Sequence, residues 1–359
     1  EICGSLAETS DFNISINCTK SGRHSYIFIM IPVVYSFIFI VGFLGNIMVV
    51  LMIYKIMKLK TVANVFMLNL ALADLSFLIT LPLWAAYTAM GYRWLFGSIL
   101  CKLTSGLITF NLYATIFLLS GLSIDRYLAI VRPMQSRPRR TVLYARITCI
   151  LIWISAFFLS LHIMCYRDAI LIKNLNITVC GLYDSSKLKE IALVNGLLKS
   201  ILGFFIPLII IITCYCLIGK TLVKAYQIQK SKYQSDEVLK MLVAIVAAFF
   251  ICWVPHHIFN FMDVLVHSKV IQNCHVEDII DTAMPFTICL AFLNSCLNPI
   301  LYGFVGRNFR NNMKRLVKCL PPVAKSHSSL STKISSLSYR GSESFHLTAS
   351  KQTTPIGTH

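Results

Sequence analysis

The sequence predicts an all-α membrane protein, a seven-transmembrane helix bundle followed by a short interfacial eighth helix. Three observations lead there. Of 359 residues, 56% are hydrophobic and only 13% charged, about half the charge of an ordinary soluble domain. Seven apolar segments long enough to cross a bilayer recur along the chain. The basic residues gather in alternate connecting segments. A mean hydropathy of +0.70 excludes a disordered chain or a fibre and argues against a soluble enzyme.

A hydrocarbon core of about 30 Å requires roughly 20 apolar helical residues. The segments that meet this are 27–54, 62–88, 98–125, 142–165, 192–219, 238–263 and 276–303. They organise the chain into a polar segment 1–26, a bundle 27–303, an interfacial helix 304–320 and a tail 321–359. No apolar run precedes the first span, so that span itself directs insertion. The stretch after Tyr302 sets Phe309, Met313, Leu316, Val317 and Leu320 on one stripe and Arg307, Arg310, Lys314, Arg315 and Lys318 on the other, the pattern of a helix lying on a membrane surface. Cys319, at its end, is a candidate for palmitoylation. The Ser/Thr-rich tail lacks an apolar period and reads as disordered and cytoplasmic.

Charge sets the orientation. With the N-terminus outside, the inner segments hold 23 of the 33 basic residues and 4 acids, the outer ones 10 of each, and Asp74 lies within a span. That is a strong positive-inside bias, and it accounts for the net charge of +18 without nucleic acid. The sequons at Asn13, Asn17 and Asn176 all fall outside and are candidate glycosylation sites. Cys3, Cys18, Cys101, Cys180 and Cys274 are outside too, where disulfides persist. The expected pairs are Cys101–Cys180 and Cys18–Cys274, and the cysteines within spans read as small packing residues.

Ionisable and amide groups inside a span are functional candidates by default. Asp74, Asn46, Asn111, Asn294, Asn298 and Trp253 come to similar mid-membrane depth at 1.5 Å rise per residue. Asn46 reads as an interhelical staple. A lone carboxylate at Asp74 needs a cation or donors, and a sodium ion with Asn111 and Asn294 meets that need. Nearer the outer end stand Lys199, Asp263, Asp281 and Arg167, with Tyr35, Trp84 and Tyr87 at similar height. Two cations and two carboxylates around one mouth suit a peptide with a free C-terminal carboxylate and a basic side chain. His256 is split between facing pocket water and lining that site; His257 is read as facing lipid or a neighbouring helix. Pro207, Pro255 and Pro299 remove hydrogen bonds within the last three spans and create bending points.

These residues form a pattern. Gly45–Asn46, Leu70–Ala71–Leu72–Ala73–Asp74, Asp125–Arg126–Tyr127, Trp153, Pro207 with Tyr215, Cys252–Trp253–Val254–Pro255 and Asn298–Pro299–Ile300–Leu301–Tyr302 occur in order, one set per span. Along nearly its whole length the chain resembles a rhodopsin-like (class A) G-protein-coupled receptor. Within that family it resembles the angiotensin II receptors, type 1 more than type 2, through Leu81–Pro82–Leu83–Trp84, Asp281–Thr282–Ala283–Met284–Pro285 and Ala324–Lys325–Ser326–His327.

The resemblance implies a receptor, not an enzyme, that signals through a heterotrimeric G protein of the Gq/11 type and is regulated by receptor kinases and arrestin on its tail. It implies that Arg167 and Lys199 hold the carboxylate of an angiotensin II-like peptide, and that Asp263 and Asp281 meet its basic part. Tyr35, Trp84, Tyr87, His256, Met284 and Ile288 would line the cavity. Asp74, Asn111, Asp125, Arg126, Tyr127, Tyr215, Trp253, Pro255, Asn294, Asn298, Pro299 and Tyr302 would form the activation switch. Phe292 and Ser295 stand where the type-1 form has Tyr and Asn, which implies a weakened Asn111 latch and sodium site. The alternatives are a type-2-like receptor or one for a bradykinin- or apelin-like peptide. A retinal protein would need a lysine in the seventh span, and residues 276–303 contain none.

Overall fold

The computed structural model describes residues 25–319 except 137, 139, 174–175, 183–187, 230–236, 269 and 306. Asn13, Asn17, Cys3, Cys18 and the tail lie outside the described residues. Seven helices are long and apolar enough to cross a membrane: α1 Ile27–Met57, α2 Val62–Ala89, α3 Gly97–Val131, α4 Val142–Tyr166, α5 188–229, α6 Glu237–His267 and α7 Cys274–Val305. A hairpin of β1 Arg167–Ile172 and β2 Ile177–Leu182 joins α4 to α5, and α8 spans Arg307–Cys319.

Local chemistry sets several boundaries. Thr61 and Thr141 accept hydrogen bonds from the Asn64 and Tyr144 backbone N–H at the starts of α2 and α4, each satisfying a donor with no partner inside its helix. α2 is interrupted at Ile79–Thr80, because Pro82 cannot donate to Leu78 and its ring crowds that carbonyl; Thr80 bonds back to Phe77 O at 2.7 Å. α5 widens to a π turn at Ile201–Phe205, just before Pro207. A second π turn ends α1 at Ile53–Met57. None of these irregularities was expected.

α3 sits at the centre, and its apolar side chains meet Leu70, Phe249 and Trp253 in one buried cluster. Close approach of α1 to α7 depends on Gly45, where a Cβ would sit 2.9 Å from Pro299 Cβ. One residue on, Asn46 donates to Ser295 O at 2.9 Å, the interhelical staple expected of it. The outer face of α1 exposes Ile29, Val33, Phe37, Ile40 and Leu44 at three- and four-residue intervals, a stripe suited to lipid. Cys149, Cys214, Cys252, Cys289 and Cys296 are buried packing residues, whereas Cys165 and Cys216 lie exposed. In α8, Phe309 and Leu316 are buried and Arg310, Lys314 and Arg315 exposed; Phe309 meets Tyr302 with ring centroids 5.5 Å apart.

Candidate functional site: a cationic cavity under the hairpin

The hairpin is the main departure from the sequence reading, which took 166–191 as a loop. Its register pairs Arg167 with Leu182, Asp168 with Gly181 and Ala169 with Cys180. The expected Cys101–Cys180 disulfide is present and ties β2 to the first turns of α3. Trp94 N donates to Thr178 O at 2.7 Å. Cys274 is also disulfide-bonded; Cys18, its expected partner, lies outside the described residues.

Below the hairpin is a cavity of about 320 Å³, within the size range of small-ligand sites. Tyr35, Trp84, Tyr87, Arg167, Lys199, His256, Met284 and Ile288 all line it. Asp263 and Asp281 do not, and no acidic side chain does among the described residues. Arg167 ends α4 in extended conformation and donates from one terminal nitrogen to Cys180 O at 3.0 Å. Lys199 lies two residues before the π turn of α5.

The aromatic wall is held by its neighbours. Trp84 meets Trp94 at 5.4 Å and Tyr87 at 5.7 Å between centroids, and Trp94 bonds through Nε1 to Gly97 O. Phe292 packs on Tyr35 at 5.4 Å and Phe77 at 4.8 Å, so this position is a stacking centre that needs no hydroxyl.

Of the two faces the sequence left open for His257, the structure selects the neighbouring helix, together with the cavity. His257 is 6% exposed, lines the cavity and lies over Phe204 with centroids 4.6 Å apart. It does not face lipid, because α6 turns residues 253, 256, 257 and 260 to the interior. Trp253 Nε1, His256 Nδ1, both ring nitrogens of His257 and Asn260 Nδ2 are buried without a protein hydrogen-bond partner. Asn260, four residues after His256, went unnoticed in the sequence although that spacing marks it.

Deeper in the bundle, Asp74 is fully buried. It accepts from Asn111 Nδ2 at 3.3 Å and Asn298 Nδ2 at 2.8 Å. The second amide is Asn298, one turn beyond the Asn294 that the sequence sets beside a sodium ion. The Ser295 side chain is a further hydrogen-bond partner of Asp74. Among the described residues no cluster of three His, Cys, Asp or Glu could hold a metal. Asn294 Oδ1 and Asn298 Oδ1 are buried acceptors without donors.

At the opposite end, Asp125 takes Arg126 at 2.6 Å, as expected, and also Arg140 at 2.7 Å. A single helical turn at Pro133–Ser136 brings Arg140 back, with its N donating to Ser136 O and Ser136 Oγ to Leu128 O. Tyr127 is half-buried, the Tyr215 hydroxyl lies beside Ser123, and the Tyr302 hydroxyl is buried without a hydrogen-bond partner.

Seven apolar spans, a hairpin tied to the third, and an aromatic cavity with two cations between them define a membrane receptor. Residues 45–302 match the model of the seven-transmembrane receptor (rhodopsin) family, and the chain belongs to that family. It is thus a multi-pass plasma-membrane receptor and not an enzyme. It is 58% identical over 342 residues to the type-1 angiotensin II receptor of Ovis aries, covering 95% of each chain. The figures are 56% over 347 residues and 97% for the type-1 A receptor of Rattus norvegicus, and 56% over 342 residues and 95% for the type-1 receptor of Homo sapiens.

Proposed function

We propose that this receptor binds angiotensin II, or a peptide very close to it, in the cavity under the hairpin. One observation carries the reading: Arg167 and Lys199 share a cavity that has an aromatic wall and, among the described residues, no lining carboxylate. Such a site favours an anionic, partly aromatic ligand terminus, because charge-assisted bonds are strong where water is excluded. The names of the similar receptors agree. Asp263 and Asp281, near the cavity-side ends of α6 and α7, meet the peptide's basic part above the cavity.

The receptor is oriented with its N-terminus outside, glycosylated at Asn13, Asn17 and Asn176, and linked by Cys18–Cys274. Asn176 occupies the connection between β1 and β2 with φ 49°, which asparagine tolerates. Ligand entry shifts a two-state equilibrium by its differential affinity for the two states. Trp253 moves above Pro255, α6 swings, and Asp125 releases Arg126. Tyr127, Tyr215 and Tyr302 then rearrange around the opened face, with Pro299 giving α7 its bending point. A Gq/11-type G protein binds there, and tail phosphorylation by receptor kinases recruits arrestin. Cys319 is palmitoylated, and α8 rests on the inner leaflet. Asp74 with Asn111 and Asn294 would hold a sodium ion, whose charge would favour the inactive state, and Asn111 is the latch.

Saturation binding of labelled angiotensin II to membranes carrying the full chain, beside Lys199→Ala, tests this. Tight binding that the variant loses is the expected result. A parent receptor that reaches the surface and binds nothing would sink the ligand assignment.

A further inference from the structure

Arg167 and Asp168 are neighbours on β1, so their side chains leave opposite faces of the strand. Arg167 faces the cavity. Asp168 faces the start of α3, where Ser98 Oγ donates to its Oδ1 and Lys102 Nζ lies 3.2 Å from its Oδ2. Its Oδ1 also accepts the Ala169 N–H at 2.7 Å. Ser98 and Lys102 are one helical turn apart, on one face of α3, and Cys101 between them carries the disulfide.

A disulfide alone is a single linkage, about which a two-stranded hairpin can still rock. β2 is fastened to the body through Cys180 and by Trp94 N to Thr178 O. On β1 the bonds from Asp168 reach the same two turns of α3. The geometry points to Asp168 as a positioning residue: with Ser98 and Lys102 it holds β1 against α3 so that the Arg167 guanidinium is presented to the anionic end of the ligand. A rotation or one-residue slip of β1 would exchange the faces of Arg167 and Asp168. The inference rests on the proposed carboxylate-binding role of Arg167. The Asp168 carboxyl is held below its usual range, first by the Ser98 hydroxyl and then by the Ala169 N–H and Lys102, which agrees with a bonded carboxylate.

The test uses the full-length receptor in membranes and two probes, angiotensin II and its C-terminal amide. Asp168→Ala weakens binding of the acid about tenfold and leaves amide binding within about twofold. Ser98→Ala combined with Lys102→Met, made from the other side of the contact, does the same. In an Arg167→Ala background neither change has a further effect. Equal loss for acid and amide, or additive loss with Arg167→Ala, would overturn the positioning role and leave a general structural one. Hydrogen exchange of the 167–182 amides without ligand is the independent arm. Faster exchange in Asp168→Ala is expected, and unchanged exchange would overturn the clasp. A parent receptor that does not distinguish acid from amide would overturn the carboxylate reading and, with it, the presentation role, while exchange decides whether the clasp exists.

Discussion

Two buried polar clusters sit in one bundle and are finished differently. At mid-membrane, Asp74 has both carboxylate oxygens bonded to amides from α3 and α7. Under the hairpin, the His256–His257–Asn260 group and Trp253 are buried with nitrogens that meet no protein acceptor. A buried polar atom left unmade costs about 1–3 kcal/mol. The first cluster has met that cost at its carboxylate, though Asn294 Oδ1 and Asn298 Oδ1 beside it stay unpaired, and it serves the resting fold. The second has left it to be met by water or ligand, which is how binding energy is reserved for a partner.

Variants can sharpen or break this contrast. The largest effect is expected from Arg167→Ala or Lys199→Ala. Each lowers affinity for angiotensin II about a hundredfold, in line with truncation of one partner of a buried ion pair, and leaves the unliganded melting temperature nearly unchanged. Competition binding and thermal unfolding in detergent would measure both; a fall in stability without loss of affinity would reverse the contrast.

Asn298→Ala should behave the opposite way. It removes the 2.8 Å donor to Asp74 and lowers unliganded stability by about 1–3 kcal/mol, read as a lower melting temperature. Affinity measured at a temperature where the variant is folded should move much less.

A smaller effect is expected at the far end. Arg140 is a third exposed, so its pair with Asp125 is discounted to about 1 kcal/mol or less. Arg140→Ala should raise ligand-independent G-protein activation by no more than a few-fold, and an unchanged basal level would deny Arg140 any part in holding Asp125.

Smallest is a pH effect at Asp168. Its folded-state pKa is lowered from 3.8, so its contribution is complete above 3.8 and disappears as pH falls toward the folded value. Exchange of the hairpin amides should be flat from neutral pH down to mildly acid after correction for intrinsic rates, and rise only below that range. Loosening already near pH 6 would place the responsible group elsewhere.

The seven spans, the disulfide between Cys101 and Cys180 and the apolar stripe of α8 were visible in the sequence. Each depends on the run of residues along one segment or on cysteine placement relative to it. Reckoning depth along the chain brought Tyr35, Trp84, Tyr87, Arg167 and Lys199 to one height, whereas Met284 and Ile288 joined the cavity set only through the family resemblance. The π turn of α5 and the break in α2 could have been suspected from Pro207 and Pro82, but a proline alone does not say whether a helix bends, widens or stops; the π turn at Ile53–Met57 has no proline beside it.

What only the tertiary structure decided is which side chains at equal depth meet. Asn298 reaches Asp74, His257 turns inward, Arg140 returns to Asp125, and β1 pairs with β2 as a hairpin. Hydropathy and periodicity are properties of one segment and report its length and its apolar face. The rotation of each helix about its axis, and the path of the chain between helices, are set by packing against several neighbours at once. A contact between two helices exists only after both rotations are fixed.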